Sequence, residues 1–127
     1  MEVKKLIEYA YAQNDNTPVT LISHSMGGLM SLVLLQQVDA TWKDQYISKV
    51  ISLAGTWGGT VVTLEAYTVG YDLGSWVIPK SSMKTIQRSF PSIAWLMPSE
   101  YFWKKDEILV QTAKKQYNVT NYDEFFQ

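Results

Sequence analysis

Ser25 is the residue of this chain whose surroundings suit nucleophilic chemistry. It stands in Ser23-His24-Ser25-Met26-Gly27-Gly28, between the apolar run Val19-Thr20-Leu21-Ile22-Ser23 and a longer one from Leu29 to Val38. A serine hydroxyl is a weak nucleophile. To attack an acyl carbonyl its oxygen must be exposed, its proton must pass to a base, and the oxyanion formed on the substrate must be stabilised. A sharp turn from strand to helix meets the first and third needs. It lifts the side chain above the end of the sheet and sets the next N–H at the positive end of a helix. So tight a turn demands small residues two positions to either side, and Ser23 and Gly27 hold those positions. The spacing therefore predicts a nucleophile elbow, with Ser25 as nucleophile and the Met26 backbone N–H as an oxyanion-hole donor. Ser-x-Ser-x-Gly alone is a frequent chance spacing; the strand before it and the glycine-led helix after it give it meaning.

The base is a separate matter. His24 is the sole histidine, and it adjoins Ser25 on a turn where consecutive side chains diverge, so it cannot take the hydroxyl proton. Its expected role is structural: packing beside the elbow and hydrogen-bonding through a ring nitrogen. In α/β-hydrolases the order along the chain is Ser, then Asp or Glu, then His, and no histidine follows Ser25 here. The second oxyanion donor usually comes from a loop after an earlier strand. The expectation is a fragment of a longer enzyme, with acid, base and early strands absent from these 127 residues, and inert by itself.

The elements that would position Ser25 follow from hydrophobic spacing. Val3, Leu6, Ile7, Ala10 and Tyr11 recur at helical intervals against Glu2, Lys4, Lys5, Glu8 and Gln13, which predicts an amphipathic helix over the first dozen residues. Asn14-Asp15-Asn16-Thr17-Pro18 ends it. Val19–Ser23 then reads as a strand buried on both faces, and Met26–Val38 as a central helix apolar around most of its circumference. Thr41-Trp42-Lys43-Asp44 reads as a polar connection, and Tyr46–Ala54 as a second buried strand leading to Gly55-Thr56-Trp57-Gly58-Gly59. This order predicts a parallel sheet. Thr60–Tyr71 has the pattern of a helix, Ile108–Thr112 that of a short strand, and Tyr122–Phe126 begins an amphipathic segment. The fold class expected is α/β: a partial α/β-hydrolase fold in which residues 1–59 form core with elbow and 60–127 an aromatic-rich cap or lid.

Composition narrows the partners. Hydrophobic residues are 46%, charged residues 18% and the net charge is −1, which argues against disorder and against nucleic acid. The absence of cysteine excludes disulfides and cysteine-based metal sites or nucleophiles. No cofactor and no metal are expected. No apolar run reaches the roughly 18 residues of a membrane span, and Glu2-Val3-Lys4-Lys5 is no signal-peptide core.

With these segments in place, the chain resembles the lecithin:cholesterol acyltransferase family, which includes the lysosomal phospholipase A enzymes. The likeness lies in His24-Ser25-Met26-Gly27, in Trp42-Lys43-Asp44-Gln45-Tyr46-Ile47, and in Ser52-Leu53-Ala54-Gly55-Thr56-Trp57-Gly58-Gly59. It continues through Gln87-Arg88-Ser89, Trp95-Leu96-Met97-Pro98 with Tyr101 and Trp103, Val110-Gln111-Thr112, and Tyr117-Asn118-Val119-Thr120 before Phe125-Phe126. Ser23 and Thr56 depart from it, since the family commonly has Gly or Ala at the first position and Pro at the second.

The resemblance implies an acyl-enzyme on Ser25 formed from a glycerophospholipid, with water or a lipid alcohol such as a sterol as acceptor. It implies work at a membrane or lipoprotein surface, for which Trp76, Val77, Ile78, Trp95, Leu96 and Met97 are candidate contacts, and a lysosomal or extracellular location in the secretory pathway. Asn118-Val119-Thr120 is an N-glycosylation acceptor pattern, and the family carries a similar site. Two other readings stand beside this one: a catalytically inactive lipid-binding or interaction module that keeps the elbow, and a generic lipase or thioesterase.

Overall fold

The structure is a computed structural model that describes residues 2–75 and 77–127. Its contacts divide the chain into two compact units, Met1–Trp57 and Gly58–Gln127.

In the first unit, helix α1 (Glu2–Gln13) leads into a turn in which Asp15 and Asn16 take φ of 51° and 55°. These two residue types reach the left-handed region most readily after glycine. Strand β1 (Val19–His24), helix α2 (Gly27–Gln37), helix α3 (Ala40–Tyr46) and strand β2 (Ile47–Leu53) follow. The two strands pair in parallel, in register from Thr20 opposite Lys49 to His24 opposite Leu53, with an irregularity after Val19.

The expected polar connection through Thr41–Asp44 is instead the body of α3, so the second strand begins at Ile47 rather than Tyr46. The cause is Asp39, whose Oδ1 accepts the Trp42 N–H at 2.8 Å and caps the helix. Trp42 and Tyr46, one turn apart, share a face and pack at 5.1 Å between ring centroids. The buried Trp42 ring also donates its Nε1–H to Glu8 Oε1 at 2.8 Å and lies under the Lys4 ammonium. Ile7, Leu34, Val38 and Trp42 form the core, with Val19, Leu21, Tyr46 and Ile47 against it.

Burial on both faces of the strands is not observed. Of β1 only Ser23 is buried, Ile22 is 63% exposed, and Val50, Ile51 and Leu53 of β2 are exposed. On α2 only Gly28, Ser31 and Leu34 are buried, while Met30 and Leu32 face solvent. Among the described residues just two strands build this sheet, so the apolar surface encoded in it exceeds what there is to cover it.

The second unit contains helices α4 (Val62–Thr68), α5 (Lys80–Gln87) and α6 (Pro91–Trp95), the antiparallel pair β3 (Val110–Gln111) and β4 (Gln116–Tyr117), and the single turn α7 (Tyr122–Phe125). The helix expected over Thr60–Tyr71 is shorter than that pattern. It ends at Thr68, two residues before Gly70, which has φ 88° and lies so close to the Lys80 carbonyl that a Cβ would sit 1.9 Å from its oxygen. The buried Gln87 then clamps the next residue: its Oε1 accepts the Tyr71 N–H at 2.8 Å and its Nε2–H donates to the Tyr71 carbonyl at 2.6 Å. Arg88 Nε–H donates to the Tyr67 carbonyl at 2.8 Å, so Gln87-Arg88 ties α5 to the end of α4. An ion pair between Lys80 and Glu65 at 2.6 Å adds to this tie at the surface, and it raises the Lys80 pKa above its ordinary value through the carboxylate beside it. Tyr122 donates to the Pro98 carbonyl at 2.8 Å, and burial raises its phenol pKa.

Of the expected lipid contacts, Val77, Ile78 and Trp95 are exposed, Leu96 and Met97 are half-buried, and Trp76 lies outside the described residues. Among the described residues, no helix is long and apolar enough to cross a membrane.

Candidate active site

β1 ends at His24 and α2 begins at Gly27, so Ser25 and Met26 alone make the turn between them. Ser25 has φ 53°, and Met26 with φ −55° and ψ −26° already has helical geometry. A non-glycine residue in the left-handed region costs about 1–3 kcal/mol and persists only where its surroundings over-determine it. They do so here on both sides of Ser25. Its N–H donates to the Leu53 carbonyl at the end of β2, and its own carbonyl accepts the Gly28 N–H, each at 3.0 Å.

The demand for small neighbours is visible in the geometry. A Cβ on Gly27 would lie 3.5 Å from the Ser23 Cβ, an ordinary contact that leaves room for a methyl group and little more. Gly28 is more confined: its Cβ would be 3.0 Å from Ser52 Oγ and 3.3 Å from both Gly55 Cα and the Trp57 ring. The start of α2 therefore lies against the segment that leaves β2.

Ser25 is half-buried. The Met26 N–H has no hydrogen-bond partner among the described residues and opens an eleven-residue helix. Amides at such a position carry the positive end of the helix dipole, which suits developing negative charge. Chemically, the turn can present a hydroxyl with an amide donor at its side.

His24 does not pack as the sequence suggested. Its side chain is exposed at the end of β1 and makes no hydrogen bond among the described residues. It borders a groove of about 430 Å³ together with Leu21, Met30 and Leu34. Ser23 borders the same groove, and its buried Oγ has no hydrogen-bond partner among the described residues. Elsewhere in this unit, Glu8 is engaged by Trp42 and Asp39 by the cap of α3. Among the described residues, no three His, Asp or Glu side chains gather as a metal site would need.

Asn118 sits in the turn between β4 and α7. Its Oδ1 accepts the Thr120 N–H at 2.8 Å and the Thr120 hydroxyl at 2.7 Å, while Val119 between them is buried. The asparagine and the threonine of the acceptor tripeptide are thus already joined by a hydrogen bond.

The packing of Ser52, Gly55 and Trp57 against Gly28 escaped sequence reasoning. Gly55 and Trp57 stand in the sequence as the exit from the second strand, but no local pattern tells which distant glycine a ring will meet.

Comparison with known proteins bears on the whole chain. The family model described as lecithin:cholesterol acyltransferase matches residues 1–127. The human lysosomal phospholipase A and acyltransferase is 36% identical over 127 residues, covering 100% of this chain and 31% of that protein. Lecithin-cholesterol acyltransferase-like 1 of Arabidopsis thaliana is 33% identical over 126 residues, 98% of this chain and 29% of its own length. Phosphatidylcholine-sterol acyltransferase of Gallus gallus is 34% identical over 124 residues, 98% of this chain and 30% of its own. The chain thus spans about three-tenths of the length of the curated relatives it matches.

Proposed function

The chain belongs to the lecithin:cholesterol acyltransferase family, and from that premise we propose that it carries the nucleophile of a serine-dependent lipid acyltransferase or phospholipase A. Ser25 Oγ attacks an ester carbonyl of a glycerophospholipid while its proton passes to a base, and the Met26 N–H receives the oxyanion. Collapse of the tetrahedral intermediate breaks the ester C–O bond, and the lysophospholipid leaves with the proton returned by that base. The acyl group then passes from Ser25 to water or to a lipid alcohol; a bound alcohol competes through its high effective concentration in a site that excludes water.

The observation that carries this reading is the left-handed Ser25, tied on both sides by hydrogen bonds between the end of a strand and the start of a helix. A protein with no use for a hydroxyl at this turn gains nothing from that strain. Acid and base are proposed to lie in sequence beyond these 127 residues, because His24 cannot serve and the matched relatives are about three times as long. The names of those relatives support phospholipid as substrate and a sterol among the acceptors. The word lysosomal in the human relative's name supports a location in the secretory pathway, in which Asn118 would be glycosylated and the exposed Val77, Ile78 and Trp95 would meet a membrane or lipoprotein surface.

The test uses the longest natural chain that carries these residues. Phosphatidylcholine vesicles, with and without cholesterol, should be turned over to lysophospholipid plus fatty acid or sterol ester. A fluorophosphonate should label the protein once, with loss of fluoride. Ser25→Ala should abolish both. Lipid binding with no turnover and no labelling would instead mark an inactive lipid-binding module; turnover of soluble short-chain esters alone would mark a generic lipase or thioesterase.

A further inference from the structure

We propose that Trp57 is a positioning residue of the elbow: its indole, laid against Gly55 and Gly28, fixes the first turn of α2 and so the direction of the Met26 N–H. This rests on Ser25 being the nucleophile.

Both strands of the sheet end in the same way. His24 and Leu53 are register partners, and each is followed by a non-glycine residue in the left-handed region, Ser25 at φ 53° and Ala54 at φ 47°. Two such residues side by side need an external brace. Part of it is the Leu53 carbonyl that accepts the Ser25 N–H. The rest is packing. A Cβ on Gly55 would lie 2.7 Å and 2.8 Å from Trp57 Nε1 and Cε2, and one on Gly28 would lie 3.3 Å from Trp57 Cζ2. The indole thus reaches the β2 exit loop and the helix that follows Ser25 at once, most closely at Gly55. Ser52 Oγ fills the corner, 2.5 Å and 3.0 Å from the same two Cβ positions.

Trp57 remains 43% exposed, so burial in the core does not account for its placement. Its contacts are with the two backbones whose separation sets the turn. Losing the indole frees α2 to rock about Gly27-Gly28, and a displacement of about 1 Å at a reacting centre can cost on the order of a hundredfold in rate.

The experiment again uses the longest natural chain, with phosphatidylcholine vesicles as substrate. Trp57→Ala should lower kcat about 10- to 100-fold with KM within about threefold, and Trp57→Phe, which keeps a ring over the glycines, should recover most of the loss. Gly28→Ala should lower kcat in the wild-type background, where its methyl group meets the indole. In the Trp57→Ala background it should cost less, because the indole is gone and only the contacts with Ser52 Oγ and Gly55 Cα remain. An unchanged kcat in Trp57→Ala overturns the inference, as does a rise in KM alone, which would make Trp57 a substrate contact. Should Trp57→Ala fail to fold, Gly28→Ala and Trp57→Phe decide, and wild-type kcat in Gly28→Ala refutes it. Absence of any Ser25-dependent turnover in the wild-type chain would strike the proposed function instead, so the two failures are distinguishable.

Discussion

Replacing Ser25 by glycine should make the protein more stable than replacing it by alanine, although both changes remove the hydroxyl. Ser25 has φ 53°, a region that costs an L-residue about 1–2 kcal/mol and glycine nothing. Glycine's greater freedom in the unfolded chain takes back about 0.4–1 kcal/mol. Taking the middle of each range, the net advantage of Ser25→Gly over Ser25→Ala is about 0.8 kcal/mol, or a few degrees in Tm. Neither variant should react with a fluorophosphonate. Thermal and urea unfolding of the pair give the comparison, and because both lack the side-chain oxygen, the difference reports the backbone strain less glycine's unfolded-chain freedom. If the alanine variant equals or exceeds the glycine variant in stability, Ser25 is not strained, and the reasoning that links its conformation to a use for the hydroxyl collapses.

Glycines 70 and 74 both have positive φ, 88° and 76°, but only at Gly70 would a Cβ strike backbone, 1.9 Å from the Lys80 carbonyl oxygen. Gly70→Ala should cost more than about 3 kcal/mol and Gly74→Ala about 1 kcal/mol, as urea midpoints will show; equal costs would mean the close approach is absent. Gln87→Leu, which removes both bonds to Tyr71, should cost about 2–3 kcal/mol, whereas Arg88→Ala at the exposed bond to Tyr67 should cost under about 1 kcal/mol. Asn118→Gln should abolish a glycosidase-sensitive mass shift in protein from a eukaryotic secretory host; a wild-type chain without that shift would remove Asn118 as a glycan site.

What the sequence determined by itself about this protein is local. The amphipathic α1, the turn through Asn14–Pro18, the run from β1 through Ser25 into α2 and the parallel partner strand depend on side-chain periodicity and on sterics within a few residues of the chain. Asp39 was an equally local signal for α3, but the polar look of Thr41-Trp42-Lys43-Asp44 concealed it, because Trp42 reveals its role only when Ile7 and Glu8 of α1 come to meet it. The tertiary structure alone decided matters of partnership. Apolar periodicity gives Ile22, Val50 and Ile51 a wish for cover and says nothing of its presence, and they are exposed. Gln87 reaches a backbone 16 residues away, and Trp57 settles against Gly28 with α3 and β2 between them in the chain. Local sterics act through bonds and are written in neighbouring letters. Packing acts through space, and which residues share that space is fixed only when the whole chain has closed around them.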